Sequence, residues 1–283
     1  MGRLVARRGR RTHALLVVVT LGLIPAISPT RATSEPFAAP LSEAAEILEQ
    51  ALHARYECDT IARVRMTLGD RRGPARTREL ALVSKRRAGR LHALARLEAP
   101  AHLRGLTVLT VEWPDRGDDT FVYLPSLART RRIAMHRRGE AFLGSDLTYR
   151  DFERHRIGDY RVLGAESLRV GDEPALRVIT EPRNDDRSQR VDFVIASSDR
   201  AILRLASYRE GGEEPARVLE MPRASMRAEG IHRIPMRVRA ENPRRGTWTE
   251  VEVLSLELNP EIDDALFSMV TLESGRPLPV PAP

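Results

Sequence analysis

Arg63-Val64-Arg65-Met66-Thr67-Leu68 carries an apolar side chain at every second position, the period of a strand with one face in a core and the other toward water. The same alternation returns at Leu80 and Leu82, at Val191, Phe193 and Ile195, and at Met236, Val238 and Ala240. Near the C-terminus the apolar positions run Val251 and Val253, then Leu254, Leu256 and Leu258. That change of phase predicts a β-bulge. Turn-forming pairs separate the runs: Gly69-Asp70, Pro114-Asp115, Gly171-Asp172, Asn184-Asp185, Gly211-Gly212 and Asn242-Pro243. The pattern describes about ten strands in a long antiparallel meander. Strands and helices do not alternate, which excludes a parallel α/β sheet.

One segment breaks the period. Over residues 41–56, Leu41, Ala44, Ala45, Leu48, Ala51 and Leu52 form a helical stripe, with Ser42 as the expected N-cap and Glu43 and Glu46 favouring the first turns. Short helical turns are expected at residues 146–153 and 261–267. A twisted open sheet rarely exceeds ~10 strands without curling. The fold class that follows is mainly β with few helices: a curved, incompletely closed antiparallel β-barrel with the one good helix as plug or cover. Such a barrel encloses an apolar cavity where side chains do not fill it.

The formal net charge of +7 points at first to nucleic acid, but its distribution removes that reading. Residues 1–32 hold Arg3, Arg7, Arg8, Arg10, Arg11 and Arg31 and no acid, which leaves 40 bases against 39 acids in the remainder. A nearly neutral body does not attract phosphate backbones. The basic head is followed by an apolar run, residues 14–27, and then by small residues, the layout of a secretory signal peptide. The run is broken by Thr20, Gly22 and Pro25 and falls short of the ~20 residues that span a bilayer. Cleavage is expected after Ala32, and His13 and Ala14 beside Arg10-Arg11 argue against the twin-arginine route. The domain plan is therefore a signal peptide at 1–32, a linker at 33–40, one domain at 41–272 and a Pro-rich tail at 273–283.

Catalytic and metal chemistry find little support. Cys58 is the only cysteine, so Cys-clustered metal sites and an internal disulfide are excluded. Nucleophile-elbow, phosphate-loop and zinc-helix motifs are absent, and no two of His53, His92, His102, His136, His155 and His232 stand at ligand spacing. Neighbouring Asp118 and Asp119 would face opposite ways on a strand and read as a turn. No enzyme activity and no cofactor are expected.

The densest constellation is FVYLPSLARTRRIAMHRRGEAFLGSDLTYRDFE, residues 121–153. Its Tyr123-Leu124-Pro125-Ser126-Leu127, Arg131-Arg132-Ile133 and the run from Phe142-Leu143-Gly144-Ser145-Asp146 to Arg150-Asp151 resemble the signature of bacterial outer-membrane lipoprotein-sorting proteins, the LolA-like domains. Ala99-Pro100 with Arg104-Gly105, and Leu258-Asn259-Pro260 with Leu266-Phe267-Ser268, extend the resemblance over residues 41–272. Phe121-Val122-Tyr123 stands where a tryptophan is frequent. The resemblance implies a half-open barrel closed by helices, a hydrophobic cavity for acyl chains, a periplasmic location and no catalysis. It further implies lipid or lipoprotein cargo, transient membrane contact and an inner-membrane lipid exporter of the resistance–nodulation–division type as partner.

From the residues, a ligand wall is expected where Leu106 and Val108 on one strand meet Phe121 and Tyr123 on the next, joined by the turn near Pro114. Phe142 and Leu143, in a glycine-containing turn followed by a helix capped by Ser145 or Asp146, are expected at its exposed rim. Arg131 and Arg132 beside them are expected to dock head groups or an acidic partner. The function so read is a periplasmic carrier or chaperone for acyl chains. The alternatives are a lipid-sensing signalling or scaffold module of the same fold and a secreted hydrolase.

Overall fold

The computed structural model describes residues 40–71, 73–113, 117–183 and 189–281. The expected signal segment, most of the linker and the turns at Pro114-Asp115 and Asn184-Asp185 lie outside the described residues. The chain opens with α1 (Leu41–Tyr56), followed by β1 (Thr60–Asp70), β2 (Arg76–Arg87), β3 (Arg90–Ala99), β4 (Thr107–Val111), β5 (Asp119–Leu124) and β6 (Arg129–Ile133). After a long connection come β7 (Tyr160–Val170), β8 (Glu173–Pro182), β9 (Arg190–Ala196), β10 (Ile202–Tyr208) and β11 (Arg217–Glu220). The series ends with β12 (Met226–Glu229), β13 (His232–Pro235), β14 (Arg237–Asn242), β15 (Thr247–Leu258) and the short α2 (Met269–Ser274).

Thirteen strands form one antiparallel sheet, in the order β6-β5-β4-β3-β2-β1-β15-β14-β11-β10-β9-β8-β7, and β12 pairs with β13 as a separate hairpin. The described chain thus has more strands than the ten the alternation resolves. The sheet is not closed, because β6 and β7 are its two edges. It is nevertheless curled. Strands β4 and β10 stand seven places apart, about 34 Å in a flat sheet at roughly 4.8 Å per strand, yet Val108 of β4 and Leu205 of β10 line one cavity. Extra residues at bulges sharpen the bend: Leu254 against Arg63/Val64, Glu98 against Glu79/Leu80, and Leu163 in β7. The Leu254 bulge is the one that the phase slip predicts.

Helix α1 has the expected bounds and buries Ala44, Leu48, Ala51 and Leu52 in the same apolar cluster as the inner face of the sheet, beside β7, β9, β10 and β13. Two details differ from the sequence reading. Leu41 is exposed, and Pro40 occupies the N-cap with no side-chain hydrogen bond, so Ser42 lies inside the first turn. The outer face of β1–β5 carries a second cluster around Ile61, Val83, Leu94 and Leu109. The C-terminal segment lies on it: Leu272 and Leu278 are buried there, and buried Arg96 donates to the carbonyls of Thr271 and Arg276. Ser255 Oγ donates to the Pro281 carbonyl at 3.2 Å. The Pro-rich residues 273–281 therefore pack on the sheet.

Gly69 of β1 sits opposite Trp248 of β15. A Cβ at Gly69 would lie 2.4 Å from the indole ring, over which the Arg239 guanidinium also sits at 4.5 Å. Gly69→Ala is expected to cost about 1–3 kcal/mol, the usual range for overpacking. Thermal unfolding checks it; an unchanged melting temperature would mean the indole moves freely.

Candidate functional site

The connection from β6 to β7 joins the two edge strands of the sheet, and residues 134–159 span the gap between them. They do so along the inner face as a strap of short 3-10 turns. Residues 141–148 close on themselves: Phe142 N donates to the Leu147 carbonyl at 2.7 Å, and Ser145 Oγ donates to the Phe142 carbonyl at 2.7 Å. The following turn, Tyr149–Phe152, begins at Thr148, whose amide and hydroxyl both donate to the Asp151 carboxylate, and not at Ser145 or Asp146 as the sequence suggests. Asp146 is engaged elsewhere, accepting from Thr247 at 2.6 Å and Thr249 at 3.1 Å on β15. Arg78 of β2 donates to the Leu143 carbonyl at 2.5 Å. Arg217 of β11 grips Asp151 with both terminal nitrogens, Nη2 at 2.8 Å from Oδ1. Three strands of the sheet thus hold the strap by polar contacts.

Phe142 is fully buried, its ring 4.4 Å from Phe152 and 5.5 Å from Tyr149 between centroids. It is a core side chain, not an exposed rim residue. Leu143 beside it is half-buried at φ 53°. The register of β4 and β5 corrects the expected wall as well. Val108 pairs with Val122, while Phe121 pairs with Leu109 and Tyr123 with Thr107. Leu106 and Val108 therefore join the inner cluster, whereas Phe121 and Tyr123 lie on the outer face against the C-terminal segment. Arg131 and Arg132 are exposed on edge strand β6, where Arg132 forms an ion pair with Asp119.

Between strap and sheet lies a cavity of about 280 Å³, near the lower end of the range for small-molecule sites. Val64, Leu82, Ala95 and Val108 line one side, Leu205, Met221 and Val253 another, and Phe142, Leu147 and Phe152 the strap side. Asp151, Glu153, His155 and Arg55 line it too. Glu153 and Arg138 make a buried ion pair at 3.0 Å. Burial pushes the Glu153 carboxyl up to about 7, assisted by Asp118 and opposed by Arg138. Burial also raises Asp151, but the Arg217 guanidinium and the Thr148 amide overcome it and hold the carboxyl below its ordinary value. His155 is held below the ordinary histidine value, chiefly by burial, and faces the Tyr160 hydroxyl. Cys58, also in the wall, is pushed up to about 11 by burial, an unreactive thiol. Arg78 and Arg217 escaped the sequence reading because single charges in strands carry no motif, and the pairing of Arg138 with Glu153 because it joins two parts of an aperiodic stretch.

Among the described residues no group of three His, Cys, Asp or Glu side chains is placed to hold a metal, and no helix is long and apolar enough to cross a membrane. Among curated proteins, none matches the sequence. The chain is similar to the solved structure of a putative outer membrane lipoprotein-sorting protein domain from Vibrio parahaemolyticus, at 19% identity and TM-score 0.74, over 83% of this chain and 100% of that one. A DUF1329 family protein from Desulfovibrio piger is similar at 19% identity and TM-score 0.75, over 82% and 99%. A LolA superfamily protein from Nitrosomonas europaea follows at 17% identity and TM-score 0.62, over 81% and 98%. A family model described as "-like: Uncharacterized protein" matches residues 89–274. The chain belongs to the family that this model defines, and its fold is that of the outer-membrane lipoprotein-sorting and LolA-superfamily structures.

Proposed function

We propose that this chain is an exported periplasmic carrier, not an enzyme, which holds acyl chains of a lipid or lipoprotein and passes them toward the outer membrane. The observation that carries the reading is the apolar cavity enclosed by the strap and the curled sheet. Helix α1 contributes Ala44, Leu48, Ala51 and Leu52 to the same apolar cluster. Val108 and Phe142 are the contacts with cargo, and Leu106 and Leu143 support them. Phe121 and Tyr123 serve the outer face.

The size of the cavity matches the task. At about 0.8 kcal/mol per buried CH₂, some ten methylenes approach the ~8 kcal/mol of micromolar binding, before ordering costs are subtracted. A carrier must let go, and such a grip permits release. Exposed Arg129 and Arg131 on edge strand β6, beside Arg132 with its Asp119 partner, offer a basic rim to the anionic head groups of a membrane or to an acidic exporter, a contact that salt weakens.

Mass spectrometry of organic extracts tests the reading, using protein purified from a membrane-containing lysate. One acyl-bearing species is expected in near-stoichiometric amount, and Val108→Phe, which fills the cavity, is expected to remove most of it. Extracts without acyl species, or equal loads in both proteins, would overturn the carrier reading.

A further inference from the structure

The charged residues of the cavity converge on it from α1 and the strap, and their charges are already spent on neighbouring side chains. Asp151 takes both terminal nitrogens of Arg217 and, in addition, the Thr148 amide at 2.6 Å and hydroxyl at 3.0 Å. Glu153 faces Arg138, with Asp118 and Arg150 as its other charged neighbours. His155 is held neutral against the Tyr160 hydroxyl, and Arg55 is itself engaged. Nearby, Glu57 bonds Arg86 and Arg154, and Glu112 bonds Arg156 and takes the Leu91 amide at 2.6 Å. A ligand charge of either sign brought here would lose its water and meet no free counter-ion, which is costly. A hydroxyl, ester or amide loses little and finds partners. A carboxylate has about four acceptor sites, and the hydroxyls of Thr60, Ser84 and Thr110 also line the cavity.

We propose that the cavity selects a single hydrocarbon chain with an uncharged, hydrogen-bonding head and rejects carboxylate, phosphate and ammonium heads. This rests on the carrier reading and names the class of ligand it takes. The single chain follows from the volume, the neutral head from the balanced pairs Asp151–Arg217 and Glu153–Arg138.

Displacement of the uncharged fluorophore N-phenyl-1-naphthylamine at pH 8 tests it, with decanol, decanoate and decyltrimethylammonium as competitors. Decanol is expected to displace the probe at about tenfold lower concentration than either ion, the low end of what an unpaired buried charge costs. Alcohols and ions also differ in solubility, so the deciding readout is how the ratios move between variants. Glu153→Gln leaves Arg138 without its carboxylate, and decanoate should gain about tenfold on decanol. Arg138→Met leaves Glu153 without the guanidinium that opposes its burial, so the carboxyl is charged only at higher pH, and at about pH 10 decyltrimethylammonium should gain instead. Opposite shifts of the two ions are not produced by a merely structural role, and either variant suffices if the other fails to fold. Decanoate equal to decanol on the unaltered protein, or ratios unmoved in a folded variant, would overturn the head-group selection while leaving the carrier reading intact. Failure of the probe and of every chain to bind would overturn both.

Discussion

Phe142→Ala is expected to lower folding stability by about 3–5 kcal/mol, the range for emptying a buried aromatic site. At about 2–4 °C per kcal/mol for a domain of this size, the melting temperature falls by roughly 10 °C. Phe142 is fully buried, touches the rings of Tyr149 and Phe152, and wedges the strap into the inner face of the sheet. Its removal subtracts packed surface and two aromatic contacts, each worth about 0.5–1.5 kcal/mol beyond burial. The void merges with the existing cavity, whose wall Phe142 already forms, so collapse cannot refill it. Leu143→Ala is the matched control: its half-buried side chain should cost about 1 kcal/mol. Differential scanning calorimetry separates the two. Equal, small losses at both positions would show that the strap is not wedged by Phe142.

The contrast between those neighbours shows where the sequence is legible. Alternation sufficed for β1 and β15, and it located the bulge at Leu254, because strand period and core face are local properties. The bounds of α1 and the turn at Gly171-Asp172 were legible for the same reason. The burial of Phe142 was not. It follows from β6 and β7 being the two edge strands of the sheet, whose gap residues 134–159 span along the inner face, and no window of sequence contains that fact. Phe-Leu among arginines in an aperiodic stretch reads as a surface loop until the topology is known. The wall of Leu106, Val108, Phe121 and Tyr123 failed for a subtler reason. The neighbouring strands were right, but the register was assumed, and a one-residue slip moves every side chain to the other face. Odd-numbered residues of β4 pair with odd-numbered residues of β5, so Phe121 and Tyr123 sit with Leu109 rather than with Val108. Asp151 and Asp146 were visible only as letters in a motif; their partners Arg217, Thr247 and Thr249 lie far along the chain.

Asp151→Asn is expected to match Phe142→Ala in size, by a different route. The substitution keeps the volume but leaves the Arg217 guanidinium without its carboxylate, and breaking a buried pair from one side costs about 3–5 kcal/mol. Removing both ends, with Asp151→Leu and Arg217→Leu together, should cost less than Asp151→Asn, since no charge is stranded. The pH dependence carries a sign of its own. Asp151 lies below its ordinary value in the folded protein, despite burial, because Arg217 and Thr148 favour the charged form. Its contribution is therefore fully present above the unfolded carboxyl value of about 3.9 and is lost only as pH falls through the lower folded value. Glu153 runs the other way. Its folded value of about 7 lies above the unfolded one, so the native state binds the proton more tightly and stability rises as pH falls through 7 toward the ordinary glutamate range. The gap between the unaltered protein and Asp151→Asn should hence stay open from pH 8 to pH 5, while both curves shift with Glu153 and, in the opposite sense, with His155, whose folded value lies below the ordinary one. Urea unfolding across that range decides it. A gap that closes already near pH 6 would mean that Asp151 is not the charged anchor of the strap, and a double variant less stable than Asp151→Asn would mean that the pair is not acting as one unit.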